Sequence, residues 1–332
     1  MTTEVGFKIH TPTGKEIAIP VQVDAASDPY PCLDNPDQIR AYYDREGYVV
    51  VRNLIPEELC DRARATFDTE IKATNTPVYR QSTAPETNRL TDHGYVINPL
   101  LNVQDIRKEQ FPHFKDAALN VMTHDNMATA LQAMLGEPGK LVQSMYFEGN
   151  PATPAHQDSY YLDASELGRL VAAWIALEDI HPGAGRFYVY PGSHSIDMAK
   201  NSGGFDIAFN HDKYKQLVLD IIEQEGLECR APALRKGDVL FWNSKTIHGS
   251  LETRTPSISR SSLTVHYIPD STGFVTFQKK QNALNLRQFN SFQVHCPKDQ
   301  SQLKNRAIFY IETRFPKAFK FVKRLALKLL LG

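Results

Sequence analysis

The sequence predicts a mainly β protein in which an antiparallel sandwich or barrel is flanked by helices. Two observations lead to this fold class. From Lys140 onward the chain is a series of short apolar or alternating runs separated by Gly and Pro, whereas the first 135 residues contain three helical patterns. Short strands between turn residues are typical of sandwiches and barrels, which helices can cover. Such domains often exceed 200 residues, so we expect one domain over 1–332.

The N-terminal part begins with an arm and a helix. Residues 1–33 mix short β-prone runs with Pro and Gly, which predicts an extended arm or a small hairpin. Asn35 is typical of a helix cap, Pro36 of the first helical turn, and Gly47 of the position just after a helix. We therefore expect a helix over residues 36–46.

A strand, a second helix, loops and a third helix follow in that order. The β-branched run 47–53 (GYVVVRN) predicts a strand, and the amphipathic pattern after it predicts a helix over about 56–74. Four Pro residues within 75–115 predict irregular loops. Apolar residues at helical spacing predict a single helix over about 114–135.

The β core is predicted over residues 140–270. Gly and Pro turns separate its strands, and a helical pattern over about 211–226 interrupts them. The runs that predict strands are LVQSMYFE, LVAAWIAL, RFYVYP, DVLFWN and RSSLTVHYIP.

Composition excludes several classes of protein. The chain has 37 basic and 38 acidic residues, a net charge of −1, which does not fit the positive field of a nucleic-acid binder. The N-terminus lacks the pattern of a signal peptide, and no run is long enough to span a bilayer. The four cysteines, at 32, 60, 229 and 296, form no CxxC pair. We expect a cytoplasmic protein with reduced thiols.

A candidate metal site emerges from two segments of the β core. His156 and Asp158 follow the run LVQSMYFE, and residues at i and i+2 of a strand share one face. His248 follows the run DVLFWN and is the candidate third ligand. Two imidazoles and one carboxylate leave positions open on Fe(II), as oxygenases require, whereas structural zinc usually has four ligands that include Cys. An HxD pair alone is a weak signal, because 11 histidines make one such pair common by chance.

The motifs together resemble the phytanoyl-CoA dioxygenase family of Fe(II)/2-oxoglutarate oxygenases. The resemblance runs from about residue 36 to 269 and implies a double-stranded β-helix, also called a jelly roll. It also implies that His156, Asp158 and His248 bind the iron. The segments that carry it are GYVVVRNLIPEE, AHQDSYY, WIALED, RFYVYPGSH, KGDVLFWNSKTIHGS and SRSSLTVHYIP.

The same resemblance implies a site for 2-oxoglutarate. Arg260 matches the family arginine that binds the far carboxylate, with Arg254 as the competitor in a predicted turn. Ser250 resembles the hydroxyl that assists it, or is an ordinary turn serine. Three further residues are expected near the cosubstrate or in packing around it: Gln143, Tyr146 and Trp174.

Substrate contacts are expected from the residues around the metal motif. At least one of Tyr160 and Tyr161 should face the pocket, and Arg186, in a turn that departs from the family pattern, is a candidate for binding an anionic substrate. Because relatives that halogenate replace the metal carboxylate, the intact Asp158 implies hydroxylation or another oxidation. His194 and His266 are expected to be satisfied structural histidines.

The C-terminal segment predicts a basic amphipathic helix within 301–332. Lys317, Lys320, Arg324 and Lys328 share one helical face, and the other face is apolar. Such a helix can lie on an anionic membrane surface through residues 315–331, or it can pack on the barrel or on a second subunit, which is the favoured interpretation.

The resemblance implies a dioxygenase that uses Fe(II), 2-oxoglutarate and O₂ to hydroxylate an unactivated C–H bond of a small-molecule or lipid-like substrate, with release of succinate and CO₂. Two other classes stay open: a non-catalytic jelly-roll protein that binds a metal or ligand, and a cupin-type metal hydrolase or isomerase. Neither of them needs Arg260.

Overall fold

The computed structural model describes residues 6–198, 210–319 and 321. The helices are α1 (Pro36–Glu46), α2 (Glu57–Thr66), α3 (Pro112–Met122), α4 (Asp125–Leu135), α5 (His211–Gln224) and α6 (Leu303–Arg314). The strands are β1 (Phe7–His10), β2 (Glu16–Ile19), β3 (Tyr48–Val51), β4 (Val78–Tyr79), β5 (Pro85–Glu86), β6 (Leu100–Leu101), β7 (Gly139–Phe147), β8 (Leu162–Ala164), β9 (Val171–Ala176), β10 (Phe187–Val189), β11 (Val239–Asn243), β12 (His248–Ser250), β13 (Ser262–Pro269), β14 (Phe274–Thr276), β15 (Lys280–Asn282), β16 (Leu286–Phe289) and β17 (Phe292–His295).

Two sheets enclose the functional part of the molecule. The major sheet has the order β16-β17-β7-β13-β9-β11-β3, with β6 added on β7, and its pairs are antiparallel except β17 with β7. The minor sheet pairs β10 with β12, and an antiparallel bridge between His156 and His248 extends it. The predicted fold class, a mainly β jelly roll with flanking helices, is confirmed.

Helices α1 to α4 cover the outer face of the major sheet. Their apolar side chains join those of the sheet in one buried cluster. Tyr146 on β7 belongs to this layer, because its ring stacks on Phe67 at 4.0 Å between ring centroids and meets Phe114 edge-on. Side chains on the other face of β7 point between the two sheets.

The outer face of the minor sheet is covered by α5 and by the hairpin of β1 and β2. Ile9 and Ile19 of the hairpin share a buried cluster with Tyr188 of β10 and Val218 of α5. The N-terminal arm is therefore a hairpin followed by irregular chain, as one of the two predicted alternatives had it.

Two predicted helices differ from the structure. The stretch predicted as one helix over 114–135 is two, because Thr123 turns its hydroxyl back to the Leu119 carbonyl and His124 accepts from the Asn126 N–H as the cap of α4. The helix predicted to reach residue 74 is α-helical only to Thr66 and continues as a π-helix over Phe67–Lys72.

The end of the chain is described only in part. Helix α6 has no buried residue, and within the described residues no helix is both long and apolar enough to cross a bilayer. Helix α6 lies within the range 301–332 that was predicted to contain a basic helix. The part expected to contact a membrane, 315–331, lies mostly outside the described residues, since 320 and 322–332 are not among them.

Candidate metal centre

The structure brings His156, Asp158 and His248 together between the two sheets. One ligand atom from each lies within 4.8 Å of the others, and Asp158 Oδ1 is 3.5 Å from the Nε2 atom of either imidazole. The two histidines are backbone partners, because each N–H donates to the other's carbonyl at 3.0 Å. Their spacing is thus set by strand pairing.

Backbone carbonyls orient both imidazoles. His156 Nδ1 lies 2.9 Å from the Pro154 carbonyl, and His248 Nδ1 lies 2.9 Å from the Thr246 carbonyl. An Nδ1–H donated to a carbonyl leaves Nε2 unprotonated and free to bind a metal, which is the usual arrangement around a metal-binding histidine.

Asp158 is held in a turn. It begins a 3₁₀ turn, Asp158–Tyr160, so the expectation that it lies on a strand with His156 is wrong. Its Oδ2 atom accepts from the Trp242 indole N–H at 2.8 Å, which leaves Oδ1 facing the imidazoles. Burial would raise the pKa of Asp158, but the neighbouring His248 and His266 hold it well below the usual range.

Arg260 is a buried cation that lines the same cavity. It is 2 % exposed, lies just before β13, and donates from Nη1 to the Gly185 carbonyl at 2.7 Å. Its Nε has no partner, and none of the ion pairs among the described residues includes it. Burial lowers the pKa of Arg260 to about 9. An uncompensated buried guanidinium is well suited to binding an anionic group.

Ser250 also lines the cavity, but its hydroxyl already has protein partners. It donates to Asn150 Oδ1 at 2.8 Å and accepts from the Thr153 N–H at 2.8 Å. The Ser250 hydroxyl would have to break its hydrogen bond to Asn150 before it could donate one to a ligand. Arg254, the competitor of Arg260, is a surface residue bonded to Glu252 and lies outside the cavity lining.

The three residues expected near the cosubstrate occupy different places. Trp174 lines the cavity, with its ring 5.8 Å from the Arg260 guanidinium. Gln143 is half-buried and pairs across the sheet with His266, a cavity residue. Tyr146 lies on the opposite face of β7 among the helices, which does not fit a role at the cosubstrate.

The residues expected to contact the substrate also lie in different places. Tyr161 is beside the metal ligands, with its ring 5.7 Å from that of His156 and its hydroxyl 2.8 Å from His211 Nε2. Tyr160 is buried against Tyr214. Arg186 cannot reach a substrate, because it is fully buried and donates to the carbonyls of Pro20, Val21 and Ile180. The structure contradicts the role predicted for Arg186. Its guanidinium instead binds backbone carbonyls of the N-terminal arm.

Neither of the two histidines expected to be satisfied is fully so. His194 packs over the end of α1, with Nε2 3.1 Å from the Asp44 carbonyl, but its buried Nδ1 has no hydrogen-bond partner. His266 lines the metal cavity, is 2 % exposed, and has no hydrogen-bond partner on either ring nitrogen, although Nε2 lies 3.4 Å from Asp158 Oδ2. The expectation that His266 is satisfied is wrong.

Trp242 and His266 are the site residues that sequence reasoning missed. A signal for His266 was present, because it follows Arg260 by six residues and an even spacing along a strand places side chains on one face. Trp242 had no such signal, since its partner Asp158 lies on a different segment.

The donor set fits Fe(II). Two imidazoles and one carboxylate on one side leave coordination positions free, and none of the three ligands is a thiolate. Arg260 adds a positive charge to the lining of the same cavity.

Comparison with known proteins agrees with this chemistry. Residues 43–262 match the sequence model described as "Phytanoyl-CoA dioxygenase (PhyH)". The human protein "Phytanoyl-CoA dioxygenase, peroxisomal" is 23% identical over 245 residues, which cover 69% of this chain and 67% of that protein. A probable phytanoyl-CoA dioxygenase of Caenorhabditis elegans is 22% identical over 249 residues, covering 70% and 74%.

Solved structures share the fold. The non-haem alpha-ketoglutarate-dependent carbocyclase SnoK has a TM-score of 0.53 at 18% identity, covering 74% of this chain and 89% of SnoK. The epimerase SnoN, solved with Fe³⁺, alpha-ketoglutarate and nogalamycin RO, has a TM-score of 0.54 at 18% identity, covering 79% and 98%.

Proposed function

Because this chain belongs to the phytanoyl-CoA dioxygenase family, we propose that it hydroxylates an unactivated C–H bond of a small-molecule or lipid-like substrate. The family is one of Fe(II)/2-oxoglutarate-dependent oxygenases, so the chain is an enzyme of that class and uses Fe(II), 2-oxoglutarate and O₂. The observation that carries the proposal is a cavity lined both by the His-Asp-His set and by Arg260, a buried cation without an ion pair.

In the proposed site His156, Asp158 and His248 hold the iron. Bound Fe(II), with 2-oxoglutarate and O₂, supplies the oxidising chemistry, which turns the cosubstrate into succinate and CO₂ while an oxygen atom enters the substrate. The protein contributes a fixed ligand geometry. Paired strands hold the two imidazoles, and Trp242 restrains the carboxylate.

Arg260 binds the distal carboxylate of 2-oxoglutarate in this proposal. Its guanidinium is desolvated and lies within 6 Å of the rings of Phe147 and Trp174. These rings would shield the ion pair with the cosubstrate from water. Water exclusion strengthens such a pair. Ser250 can donate a hydrogen bond to this carboxylate only if its hydroxyl turns away from Asn150.

His266 lines the cavity close to Asp158, and Gln143 lies opposite it on β7. Neither ring nitrogen of His266 has a hydrogen-bond partner. A buried polar group without a partner costs free energy, which a bound ligand can recover. We infer that His266 hydrogen-bonds the metal-side carboxylate or keto oxygen of 2-oxoglutarate.

Tyr161 is the residue that we propose to contact the substrate. It lies next to His156 and is tied to His211 at the start of α5. Tyr160 packs against Tyr214 and is buried, so we do not propose that it contacts the substrate. The intact Asp158 favours hydroxylation or another oxidation over halogenation.

The first test is anaerobic addition of Fe(II) and 2-oxoglutarate to metal-free protein. We expect the weak visible charge-transfer band of the iron chelate. Arg260→Ala should weaken cosubstrate binding by roughly 10- to 100-fold, because a charge-assisted ion pair is lost. Arg254→Ala is the matched control and should behave like the wild type, since Arg254 lies at the surface.

Absence of the band in folded, iron-loaded protein would favour a binding protein or a metal hydrolase instead. Equal weakening by both arginine variants would contradict the role of Arg260. Once the band is established, succinate release in the presence of candidate substrates tests the hydroxylation itself. The cytoplasmic location stays a prediction, as does the packing of the C-terminal helix on the barrel or on a second subunit.

A further inference from the structure

The exposed apolar side chains of this protein are concentrated near its C-terminus. Eleven large apolar or aromatic side chains are well exposed in the described part of the chain, and six of them lie within residues 303–321. These six are Leu303, Ile308, Tyr310, Ile311, Phe315 and Phe321. Contiguous exposed apolar surface marks a site of interaction.

Helix α6 turns its polar side toward the protein and much of its apolar side outward. Glu312 accepts from the Tyr79 hydroxyl at 3.0 Å, and Asn305 donates to the Asp299 carbonyl at 3.0 Å. Phe309 packs edge-on against Tyr79. Leu303 and Tyr310, in contrast, are 77 % and 65 % exposed. An ordinary surface helix directs its apolar side chains toward the core, so the exposure of these large apolar side chains is unusual.

Charge is distributed just as unevenly along the chain. After Glu312 the sequence has six Lys or Arg residues and no Asp or Glu, whereas the preceding 312 residues contain 31 basic and 38 acidic residues. Among the described residues of this end, Lys304, Arg314 and Lys317 are exposed next to the apolar side chains. The only acid of α6 is Glu312, which faces Tyr79.

We propose that α6 and the residues directly after it, 303–319 and 321, form a docking surface for an anionic lipid bilayer. Apolar and aromatic side chains flanked by cations are what a helix needs to lie in the interface of an anionic membrane. A second copy of the chain fits less well, because an interface formed by two such surfaces would bring cations against cations.

The docking surface is joined to the metal cavity through one segment. Tyr79, which anchors α6, ends β4, and Gln81 two residues later lines the cavity. The proposal does not rest on the proposed reaction, since lipid binding and chelate formation are measured separately.

The test is co-sedimentation of the full chain with phosphatidylcholine vesicles and with vesicles that also contain phosphatidylserine. We expect binding to the anionic vesicles and little to the zwitterionic ones. The double variant Tyr310→Ser/Ile311→Ser should weaken binding at least tenfold. Arg314→Glu/Lys317→Glu should weaken it by well over tenfold, since each cation near such a surface contributes roughly a factor of five.

The matched control is Leu90→Ser/Leu167→Ser, which removes two exposed leucines elsewhere and should bind like the wild type. Circular dichroism and the anaerobic iron chelate band should be the same in all variants, which shows that they fold. The proposal is overturned if anionic vesicles bind no better than zwitterionic ones, or if the α6 variants bind as the control does. A concentration-dependent dimer, abolished by Tyr310→Ser/Ile311→Ser without any vesicle binding, would overturn it in favour of self-association.

Discussion

Asp158 keeps one oxygen for its protein partners and offers the other to the metal site. Oδ2 is restrained by the Trp242 indole at 2.8 Å, and Oδ1 is 3.5 Å from both ligand imidazoles. A carboxylate fixed in this way favours binding through one oxygen, which keeps positions free for a chelating cosubstrate and O₂. Partners of this kind commonly matter almost as much as the ligands themselves.

Trp242→Phe should weaken binding of Fe(II) or Mn(II) by roughly 10- to 100-fold, because the substitution keeps an aromatic ring but removes the indole N–H that restrains Asp158. Anaerobic titration gives the affinity, and the absorption spectrum of the Co(II) form reports the coordination number. Trp174→Phe changes the chain's other tryptophan, which has no bond to a ligand, and should leave metal affinity unchanged. Equal effects of the two substitutions would show that Trp242 acts only through packing.

Residues with a fixed spacing or a family pattern could be predicted, and residues joined only by tertiary contact could not. His156 and Asp158 were singled out by spacing and His248 by its place after an apolar run and by the family pattern, and the structure brings the three together. The role expected of Arg186 was wrong because nothing in its local sequence reveals that the N-terminal arm passes over it. Trp242 was missed because its local sequence likewise does not reveal its contact with Asp158.

Gly47 joins α1 to β3 at a crowded point of the fold. Its φ is +74°, and a Cβ there would lie 2.3 Å from His194 Nδ1 and 2.7 Å from Thr246 Oγ1. Thr246 donates to the Gly47 carbonyl and precedes the ligand His248 by two residues. The junction therefore connects the helical layer to the minor sheet.

Gly47→Ala should lower the free energy of unfolding by well over 2 kcal/mol, because a left-handed alanine costs about 1–2 kcal/mol and the clash with His194 adds to it. Gly226→Ala separates the two contributions, since Gly226 has φ +60° with no atom within 4 Å of the added Cβ. Chemical denaturation of both variants measures the difference. Similar losses would mean that His194 moves aside at little cost.

Elements with clear local ends were predicted well, and breaks inside a continuous pattern were not. Asn35 and Gly47 bound α1 as expected, and the structure has Pro36–Glu46. The break between α3 and α4 was missed because apolar periodicity continues through Thr123 and His124, where side-chain hydrogen bonds end one helix and begin the next.

Over the whole molecule, the two sheets contribute different parts of the site. The minor sheet and its extension carry the ligand histidines, whereas Trp174, Trp242 and His266 lie on the major sheet, with Arg260 just before it. A ligand that contacts both sheets binds only the folded state and therefore stabilises it.

Mn(II) and then 2-oxoglutarate, each at a hundredfold excess over its Kd, should stabilise the protein by about 2.7 kcal/mol per ligand. For a chain of this size each step corresponds to roughly 3–6 °C in Tm. Arg260→Ala should keep the Mn(II) step and lose most of the cosubstrate step at the same concentration. A full cosubstrate step in that variant, measured by calorimetry, would place the carboxylate elsewhere.

The pairing of His156 with His248 has a consequence for metal selectivity. Because hydrogen bonds of the backbone set the spacing of the two imidazoles, that spacing does not depend on a bound ion. A His-Asp-His site built in this way accepts divalent ions largely in the order of their intrinsic affinity, in which Co²⁺, Ni²⁺ and Cu²⁺ all exceed Fe²⁺. Protein purified in air should therefore contain a mixture of metals, and its history of metal exposure will determine how much of it is active.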